Sequence, residues 1–521
     1  MNPAEPEQAQ PVGFRTDSLA ESVMLLLGMA LLQRVVGFVR GIFFCGWLAP
    51  EQLGEWDMAY GFFLMAAPVA VLGLPGSFGR YLEYYRQQGQ LRTILRRTGR
   101  TCTILGVAAM IVVGCFGPWF SQLIFGRPDR AEVVVLIGVV LLLVIAYNFL
   151  TEMLTALRMF RMVSVLQFLN SMAFAGLGVA LLVSWHHDVT SVVVAFGGAS
   201  LVGGVVGLLW LRQAWKALPL DTKPLPHGQL WVKLLPYAGW MWICNLLYNL
   251  FEVADRYMLI HYSKYNQHDA LVAVGNYHSS RIIPLLLLTV ATMLGAMITP
   301  HLSHDWEAGR HEAVARRLNL TLKMLGFALY AASVLILLGA PFLFGVLLHG
   351  KYQGGLTALP WTLAYCSWLG LAVVAQNYLL CAECAWLSSA AFLGGLLLNV
   401  ALNLWWVPQH GLIGAVWATA VAKLTAMALI LICNQRLGMA YDRGVWSLAL
   451  LPIALGGGPL LAVVVLVAAV VVIVRSETIF SKPEKMELRR VLGHFVRKLG
   501  IRLEPAPAAL EAQPAPGNSA S

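Results

Sequence analysis

Long apolar stretches alternate with short polar connections over most of the chain. Twelve of them are long enough to cross the hydrocarbon core of a bilayer, for which an α-helix needs roughly 20 apolar residues. They cover approximately residues 19–47, 57–80, 99–124, 131–157, 161–184, 191–212, 232–261, 270–300, 320–348, 355–382, 386–407 and 411–434. The pattern predicts an all-α polytopic membrane protein.

A further apolar segment, residues 445–474, is too long for one span and short for two. Its middle carries Gly-Gly-Gly-Pro at Gly456–Pro459, which is a strong turn signal. We therefore predict two short or tilted helices, which gives fourteen transmembrane helices in total. Two alternatives remain open: a single crossing, which gives thirteen spans, and a re-entrant hairpin, which gives twelve.

Lys and Arg are concentrated in every second connection. The basic connections contain Arg80, Arg86, Arg92, Arg96, Arg97, Arg100, Arg158, Arg161, Arg212, Lys216, Lys223, Arg310, Arg316, Arg317, Arg436 and Arg443. The connections Ala49–Glu55 and Pro408–Gly411 contain neither residue type. Because basic connections stay in the cytoplasm, we predict a multi-pass protein of the cytoplasmic (inner) membrane with both termini in the cytoplasm.

Composition narrows the class of protein further. Hydrophobic residues make up 59% of the 521-residue chain, only 12% are charged, and the mean hydropathy is +0.70. Soluble domains carry about 25% charged residues, so no large soluble domain is predicted. The net charge of +10 is explained by the cytoplasmic connections, and nucleic acid is therefore not predicted as a partner.

Motifs of enzymes and cofactor-binding proteins are missing from the sequence. It has no G-x-x-x-x-G-K-[ST] phosphate-binding loop, no H-E-x-x-H motif and no supported nucleophile–base pair. Cys381 and Cys384 are too isolated to predict a metal site. We predict no enzyme activity and no cofactor.

Two halves of the chain repeat each other. Gly54-Glu-Trp56 matches Gly275-Asn-Tyr277 at an offset of 221 residues, and Arg96-Arg97 matches Arg316-Arg317 at an offset of 220. The offset covers six spans, so the two halves have the same orientation. This predicts two six-helix lobes related by a parallel repeat about an axis along the membrane normal, a plan that many transporters use.

The repeat and the charge pattern together predict the domain organisation. The N-lobe covers residues 17–225 and the C-lobe residues 226–440, followed by a helix pair or hairpin at residues 441–475. A basic amphipathic helix on the membrane surface is predicted at residues 476–503. The flanking residues 1–16 and 504–521 are predicted to be disordered tails.

Several motifs in a fixed order resemble a known family. They are Ala49-Pro-Glu-Gln-Leu-Gly54 after a first helix with Arg34 and Arg40, Asp255-Arg256, Gly275-x-Tyr277, Pro300 before a basic connection, and Val407-Pro408-x-x-Gly411-x-x-Gly414-Ala415. Over residues 17–440 the chain resembles the polysaccharide-repeat flippases of the multidrug/oligosaccharidyl-lipid/polysaccharide exporter superfamily.

The resemblance implies a function and partners. A flippase of this kind moves a lipid-linked, polyprenyl-diphosphate oligosaccharide across the membrane by alternating access, for synthesis of cell-surface polysaccharide. The implied partners are this substrate, membrane lipids and a polysaccharide polymerase. The resemblance also implies two lobes arranged as a V, with extra C-terminal helices in many members.

The segment 246–261 carries Glu252, Asp255 and Arg256 within an apolar span. Each charge at bilayer depth costs at least about 2.5–3.5 kcal/mol, so this segment is expected to face a protein interior or a water-filled cavity. Asp255 and Glu252 are candidates for binding a coupling proton or sodium ion, or for a gating ion pair. The repeat offset suggests a specific pair, Asp255 with Arg34 or Arg40, that would break when the lobes rock.

Four more cations lie deep in predicted spans: Arg34, Arg40, Arg281 and Lys423. A diphosphate in a low-dielectric cavity needs cationic partners, so these residues and Arg256 are predicted to line a common cavity and bind the substrate. The alternative is structural, in which each cation pairs with a buried carboxylate or helix-end carbonyl.

Two other transport functions remain open from sequence. A drug antiporter of the same fold would need acids in its cavity, whereas deep cations outnumber deep acids here. The lipid II flippases of the same superfamily also rely on arginines in their first helix, and the chain resembles them in that respect only. A membrane glycosyltransferase or polymer ligase is disfavoured, because the predicted outer loops are too short to carry its catalytic residues.

Overall fold

The computed structural model describes residues 19–218, 220–221 and 225–486, and these form helices and turns without a strand. The predicted tails, residues 1–16 and 504–521, lie outside the described residues, as does most of the predicted surface helix from residue 487 onward. The predicted all-α polytopic fold is confirmed.

The first lobe contains the helices of the first half of the repeat. They are α1 (Leu19–Trp47), α2 (Pro50–Ala70), α3 (Phe78–Gln87), α4 (Leu91–Cys115), α5 (Gly117–Phe125), α6 (Ala131–Ala156), α7 (Phe160–Ser184) and α8 (Val189–Ala217). Short 3-10 turns at Pro75–Ser77 and Pro128–Arg130 join α2 to α3 and α5 to α6.

The second lobe repeats this order. Its helices are α9 (His227–Tyr262), α10 (Gln267–Arg281), α11 (Pro284–Glu307), α12 (His311–Phe342), α13 (Gln353–Ala375), α14 (Asn377–Cys381) and α15 (Ala385–Arg436). A π-helical turn, Leu343–Leu347, follows α12. After α15 come α16 (Arg443–Leu450), a 3-10 segment (Leu451–Gly457) and α17 (Pro459–Arg475).

Membrane-spanning helices account for most of the described chain. Nine described helices are long and apolar enough to cross a bilayer, or ten if Pro50–Ala70 and Pro75–Gln87, bent by 64°, form one span. α15 holds the two spans predicted at 386–407 and 411–434, and they meet at Gly411 with φ 55° and ψ −128°. Only glycine adopts this backbone readily, and a Cβ there would overlap the Tyr265 hydroxyl.

The two lobes meet most closely where α2 crosses α10. A Cβ added to Gly54 would overlap the backbone oxygen of Leu271, and one added to Gly275 would overlap that of Pro50. Leu271 and Pro50 each lie four residues before the opposing glycine, so the contact is nearly symmetric. The two glycines are the repeat mates predicted from sequence, and the pseudo-two-fold axis therefore passes through this crossing. We call this end of the molecule, where α1 and α9 finish and α2 and α10 begin, the packed end.

Side chains from each lobe also bind helix-end carbonyls of the other at the packed end. Tyr352 donates its hydroxyl to the oxygen of Leu48 at 3.0 Å, and the Lys351 ammonium lies 2.7 Å from the oxygen of Gly46. On the opposite side of the axis, the His261 ring nitrogen Nε2 lies 2.9 Å from the Leu123 oxygen. The final carbonyls of a helix have no partner within the helix, so these contacts stabilise the packed end.

The long helix α9 contacts both lobes. Its first half packs on the N-lobe, where Tyr237 makes an edge contact with Tyr81 and Leu230 is buried in the cluster that contains Ile94. Its second half packs against α15, as Lys423 on Phe251 shows. The first half of α9 is therefore held by the lobe that precedes it in the chain.

The segment that contains α16 and α17 begins and ends beside the same part of α12. The buried Lys323 ammonium binds Asp442, just before α16, at 2.5 Å, and Glu484, after α17, at 2.9 Å. The segment from α16 to α17 is therefore a helix pair with both ends on one side, opposite the packed end.

Gly275→Leu tests the crossing. Because the new side chain would overlap backbone that cannot move aside, α2 and α10 are expected to separate at the packed end. Distances between spin labels at positions 49 and 267, both exposed, should shift from a short to a long majority population. Gly339→Leu is the matched control, since its Cβ position on α12 meets no atom within 4 Å. An unchanged distance distribution in Gly275→Leu would contradict the crossing.

Candidate functional site

Buried charged residues from both lobes meet next to the α2–α10 crossing. Asp57 lies one turn beyond Gly54 on α2 and is 2% exposed. Around it lie residues of α9, α10 and α15 in the C-lobe. We call this group the central cluster; it consists of Asp57, Glu252, Asp255, Arg256, His278, Arg281 and Lys423.

Asp57 is the residue that joins the two lobes electrostatically. Its Oδ1 accepts from Arg256 Nη1 at 3.1 Å and lies 2.7 Å from His278 Nδ1. Its Oδ2 lies 3.8 Å from Arg281 Nη1, which is an ion pair but too long for a hydrogen bond. All three partners belong to the C-lobe, so this carboxylate holds α2 against α9 and α10.

Arg256 is 2% exposed and engaged on two sides. In addition to Asp57 it donates Nη2 to the backbone oxygen of Glu252 at 2.5 Å, one turn earlier on α9. Arg256 does not line the cavity in this structure. Its geometry matches the structural alternative, in which a cation pairs with a buried carboxylate, and that carboxylate is Asp57.

Glu252 and Lys423 form an ion pair within the C-lobe. Lys423 Nζ lies 2.8 Å from Glu252 Oε1 and 3.7 Å from the centre of the Phe251 ring. The lysine is 4% exposed and the glutamate side chain 25%. The expectation that the charges of α9 face a protein interior or cavity is met by this pair.

The two oxygens of Asp255 have different partners: Oδ1 accepts from the backbone N–H of Arg256 at 2.9 Å and lies 3.9 Å from Arg256 Nε, whereas Oδ2 faces hydroxyl groups. Tyr277 donates to its Oδ2 at 2.5 Å and Thr419 at 3.3 Å, while Tyr365 lies 3.2 Å from the Tyr277 hydroxyl. Oδ2 therefore has only neutral hydroxyl partners, which suits an oxygen that binds a small cation or a proton.

Two asparagines extend this polar group. Asn399 donates to the Thr419 hydroxyl at 3.2 Å, and Asn403 donates to the side-chain oxygen of Asn399 at 3.1 Å. The remaining oxygen, Asn403 Oδ1, is buried without a hydrogen-bond partner. Buried polar atoms are usually satisfied, so this oxygen is available to a ligand or water.

A small cavity lies between these groups. It is lined by Glu252, Asp255, Tyr277, Arg281 and Lys423 together with neighbours from α13. Its volume is about 10 Å³, which is enough for one water and far too small for a sugar headgroup. A headgroup therefore does not fit inside this cavity, all of whose lining residues belong to the C-lobe.

The structure places four of the seven predicted residues in this cavity and three, including Arg256, elsewhere. Glu252, Asp255, Arg281 and Lys423 line it, but Arg34 and Arg40 do not. Arg40 stacks on Phe174 of its own lobe, 4.1 Å from the ring centre, and Arg34 is exposed on α1. The expectation that Arg34, Arg40 and Arg281 share one cavity is not met in this conformation.

The predicted ion pair of Asp255 with Arg34 or Arg40 does not form among the described residues. The pair that crosses between the lobes uses Asp57 of α2 instead, whereas Arg40 of α1 stacks on Phe174 of its own lobe.

Sequence reasoning missed Asp57 and His278. They are repeat mates at the same offset of 221 residues as Gly54 and Gly275, and they directly follow the matching motifs at 54–56 and 275–277. The signal was therefore present in the sequence, although the offset alone does not say that mates touch.

A model of the polysaccharide biosynthesis protein family matches residues 19–306, which is more than half of the chain. The chain belongs to the polysaccharide biosynthesis protein family. A comparison with curated protein sequences finds no match.

Solved structures agree with this polysaccharide biosynthesis protein in fold. A lipid II flippase in an inward closed conformation superposes with a TM-score of 0.66 at 14% identity, covering 91% of this chain and 99% of the other. An inward-facing multidrug resistance MATE family transporter of the MOP superfamily gives 0.64 at 14% identity, covering 80% and 98%. An outward-facing structure of a transporter described in the same way gives 0.56 at 13% identity, covering 83% and 99%.

These likenesses show the fold alone, and the predicted all-α polytopic transporter fold agrees with them. The protein is a multi-pass membrane protein with a flippase-type transporter fold.

The charges of the central cluster nearly balance. Asp57, Glu252 and Asp255 stand against Arg256, Arg281 and Lys423, so the cluster is neutral when His278 is neutral. The excess of deep cations noted from sequence therefore resides in Arg34 and Arg40 on α1, outside the cluster.

Lys423→Met tests the buried pair of the C-lobe. Removing one partner leaves Glu252 without its cation, so the variant is expected to lose up to roughly 3–5 kcal/mol of stability. The double variant with Glu252→Gln should recover most of this loss, which thermal unfolding in detergent would measure. Lys482→Met, which removes an exposed ion pair with Glu477, is the control. Equal losses in the single and double variants would show that the pair is not coupled.

Proposed function

We propose that the protein is a flippase that moves a polyprenyl-diphosphate oligosaccharide across the cytoplasmic membrane by alternating access. The observation that carries the proposal is the central cluster, where Arg256 and Arg281 lie buried between two lobes at bilayer depth. Buried guanidinium groups are suited to a diphosphate because they bind its oxygens in a planar, two-pronged geometry. The lobes would rock about the crossing to expose this site on alternate sides.

The charge pattern supports an orientation for the packed end. Arg96 and Arg97 near the start of α4, and Arg316 and Arg317 near the start of α12, belong to helix ends opposite the packed end. The positive-inside rule places these arginines in the cytoplasm. The packed end then faces away from the cytoplasm. In support, the TM-score is higher for the inward-facing transporter (0.64) than for the outward-facing one (0.56).

The pairing of the acids favours an anionic over a cationic substrate. Asp57 is held by Arg256 and His278, and Glu252 by Lys423. An organic cation would have to displace these protein cations from their carboxylates. Arg34 and Arg40 add positive charge on α1 and have no carboxylate partner among the described residues, so α1 is suited to guide an anionic headgroup.

A lipid II flippase is the second candidate. It is favoured by one observation, that the fold likeness to a lipid II flippase extends over more of this chain than the likeness to the multidrug transporters does. The family match favours an oligosaccharide of polysaccharide synthesis, and its product would be consumed by a polysaccharide polymerase. The identity of the accumulated precursor separates the two.

Deleting the gene is expected to cause lipid-linked oligosaccharide to accumulate on the cytoplasmic face. Wild type should restore the normal amount, whereas Arg281→Ala should not, because the diphosphate loses a cation at bilayer depth. Mass spectrometry of extracted lipids measures the precursor, and Arg281→Lys should restore it in part. Arg436→Ala, at an exposed position, is the matched control.

Two results would count against the proposal. The first is a deletion strain with normal precursor levels and altered drug sensitivity, which would favour the antiporter. The second is full complementation by Arg281→Ala at normal protein levels.

We further propose that Asp255 binds the coupling ion, a proton or a sodium ion. Glu252 is already paired with Lys423, whereas Asp255 has only hydroxyl donors on Oδ2. Oxygen atoms of Thr419, Asn399 and Asn403 lie in the same polar group and are of the type that hard cations prefer.

Asp255→Asn should remove the response of transport to an ion gradient. In proteoliposomes with a fluorescent lipid-linked oligosaccharide, either a proton or a sodium gradient is expected to accelerate wild-type flipping several-fold. The variant should keep the basal rate and lose this acceleration, because a neutral amide does not bind the ion. Thr425→Val is the control, since its hydroxyl bonds only within its own helix. Retained acceleration in Asp255→Asn would exclude this residue as the ion site.

A further inference from the structure

Asp57 occupies a site that is built for a larger anion. Three C-lobe cationic or protonatable groups, those of Arg256, His278 and Arg281, converge on one N-lobe carboxylate. Both Arg256 and His278 contact the same oxygen, Oδ1. Arg256, His278 and Arg281 thus share a single carboxylate, although together they could bind an anion with more oxygen atoms.

Unused hydrogen-bonding atoms support this view. Asp57 Oδ2, Arg256 Nε and Arg281 Nη1 are buried and have no hydrogen-bond partner. Arg256 and Asp57 are each only 2% exposed. Buried polar atoms without partners are costly, and here the unused donors lie on the C-lobe side while the ill-fitting anion comes from the N-lobe.

The three groups would remain together if the lobes separated. Arg256 is fixed to its own helix through the Glu252 oxygen, and His278 and Arg281 lie one turn apart on α10. Asp57 would leave with α2. The C-lobe would then present two guanidinium groups and His278 to an anion, with the Asp255 carboxylate still 3.9 Å from Arg256 Nε.

The position of Asp57 couples this site to the state of the packed end. Asp57 lies one turn from Gly54, where the backbones of α2 and α10 touch. The carboxylate can therefore reach Arg256 and His278 only while the crossing is closed. Closing the crossing and binding an anion at the C-lobe site therefore oppose each other. Because such coupling is reciprocal, an anion that replaces Asp57 favours the open crossing by the same free energy with which the closed crossing disfavours the anion.

We propose that Asp57 is an internal anion that competes with the substrate diphosphate for Arg256, His278 and Arg281. Diphosphate binding at this site displaces Asp57 and opens the packed end. The inference rests on the proposed function and adds two residues, Asp57 and His278, and the trigger for opening. Without substrate, Asp57 keeps the packed end closed. When the anionic headgroup displaces Asp57, the packed end opens, and the headgroup is released from that open state.

The test measures opening and binding with inorganic pyrophosphate as the probe. Spin labels at positions 49 and 267 report the packed end in the full chain, in a cysteine-free background checked for complementation. Pyrophosphate is expected to lengthen the distance in wild type. Asp57→Asn should be open without ligand and bind pyrophosphate at least about tenfold more tightly, because it no longer competes.

Two further variants separate competition from general loosening. In the Asp57→Asn background, Arg281→Gln should weaken pyrophosphate binding at least about tenfold, because the anion site loses a cation. His278→Asn, which keeps the Arg256–Asp57 pair, should stay closed and bind pyrophosphate more weakly than wild type. The latter variant keeps the proposal testable if Asp57→Asn does not fold.

Specific outcomes would overturn the inference. One is Asp57→Asn with unchanged distances and unchanged pyrophosphate affinity. Another is pyrophosphate binding that does not depend on Arg281 or His278, which would indicate attraction to surface cations only. If either occurs while gene deletion still accumulates lipid-linked oligosaccharide, the inference fails and the proposed function stands. If deletion causes no accumulation, the proposed function itself fails.

Discussion

The contact between Asp57 and the C-lobe cations is the interaction on which the closed arrangement of the lobes depends. A charge at bilayer depth is stable only when it is paired or solvated, and Asp57 and Arg256 are both almost completely buried. Each therefore needs the other, although they lie in different lobes. The position of one lobe relative to the other is thereby tied to the electrostatics of the central cluster.

The crossing of α2 and α10 makes this contact possible. Glycine at positions 54 and 275 lets the two backbones touch, which brings the next turn of α2 within reach of α9 and α10. The scaffold is nearly symmetric here, but the chemistry is not. The repeat mates Asp57 and His278 carry an acid and a base, so a symmetric backbone contact becomes a hydrogen-bonded pair.

The polar chemistry is concentrated in the C-lobe. The pair Glu252–Lys423 and the hydroxyl partners of Asp255 lie within that lobe, so they can persist when the lobes move. Asp57 is supplied from outside and cannot. The C-lobe thus keeps its polar residues in place, and the N-lobe covers them. Helix α9 packs on both lobes and connects them.

Sequence alone determined the class, the repeat and the residues that could not face lipid. Apolar length, basic connections and the matching motifs at Gly54 and Gly275 suffice for these, because they depend on local composition and spacing. Glu252, Asp255, Arg281 and Lys423 were identified as cavity residues for the same reason. Only the tertiary structure decided which charges pair and that Arg40 turns to Phe174 instead. It brought Asp57 to Arg256 across 199 residues, and such a pairing depends on how two lobes dock, which no local pattern encodes.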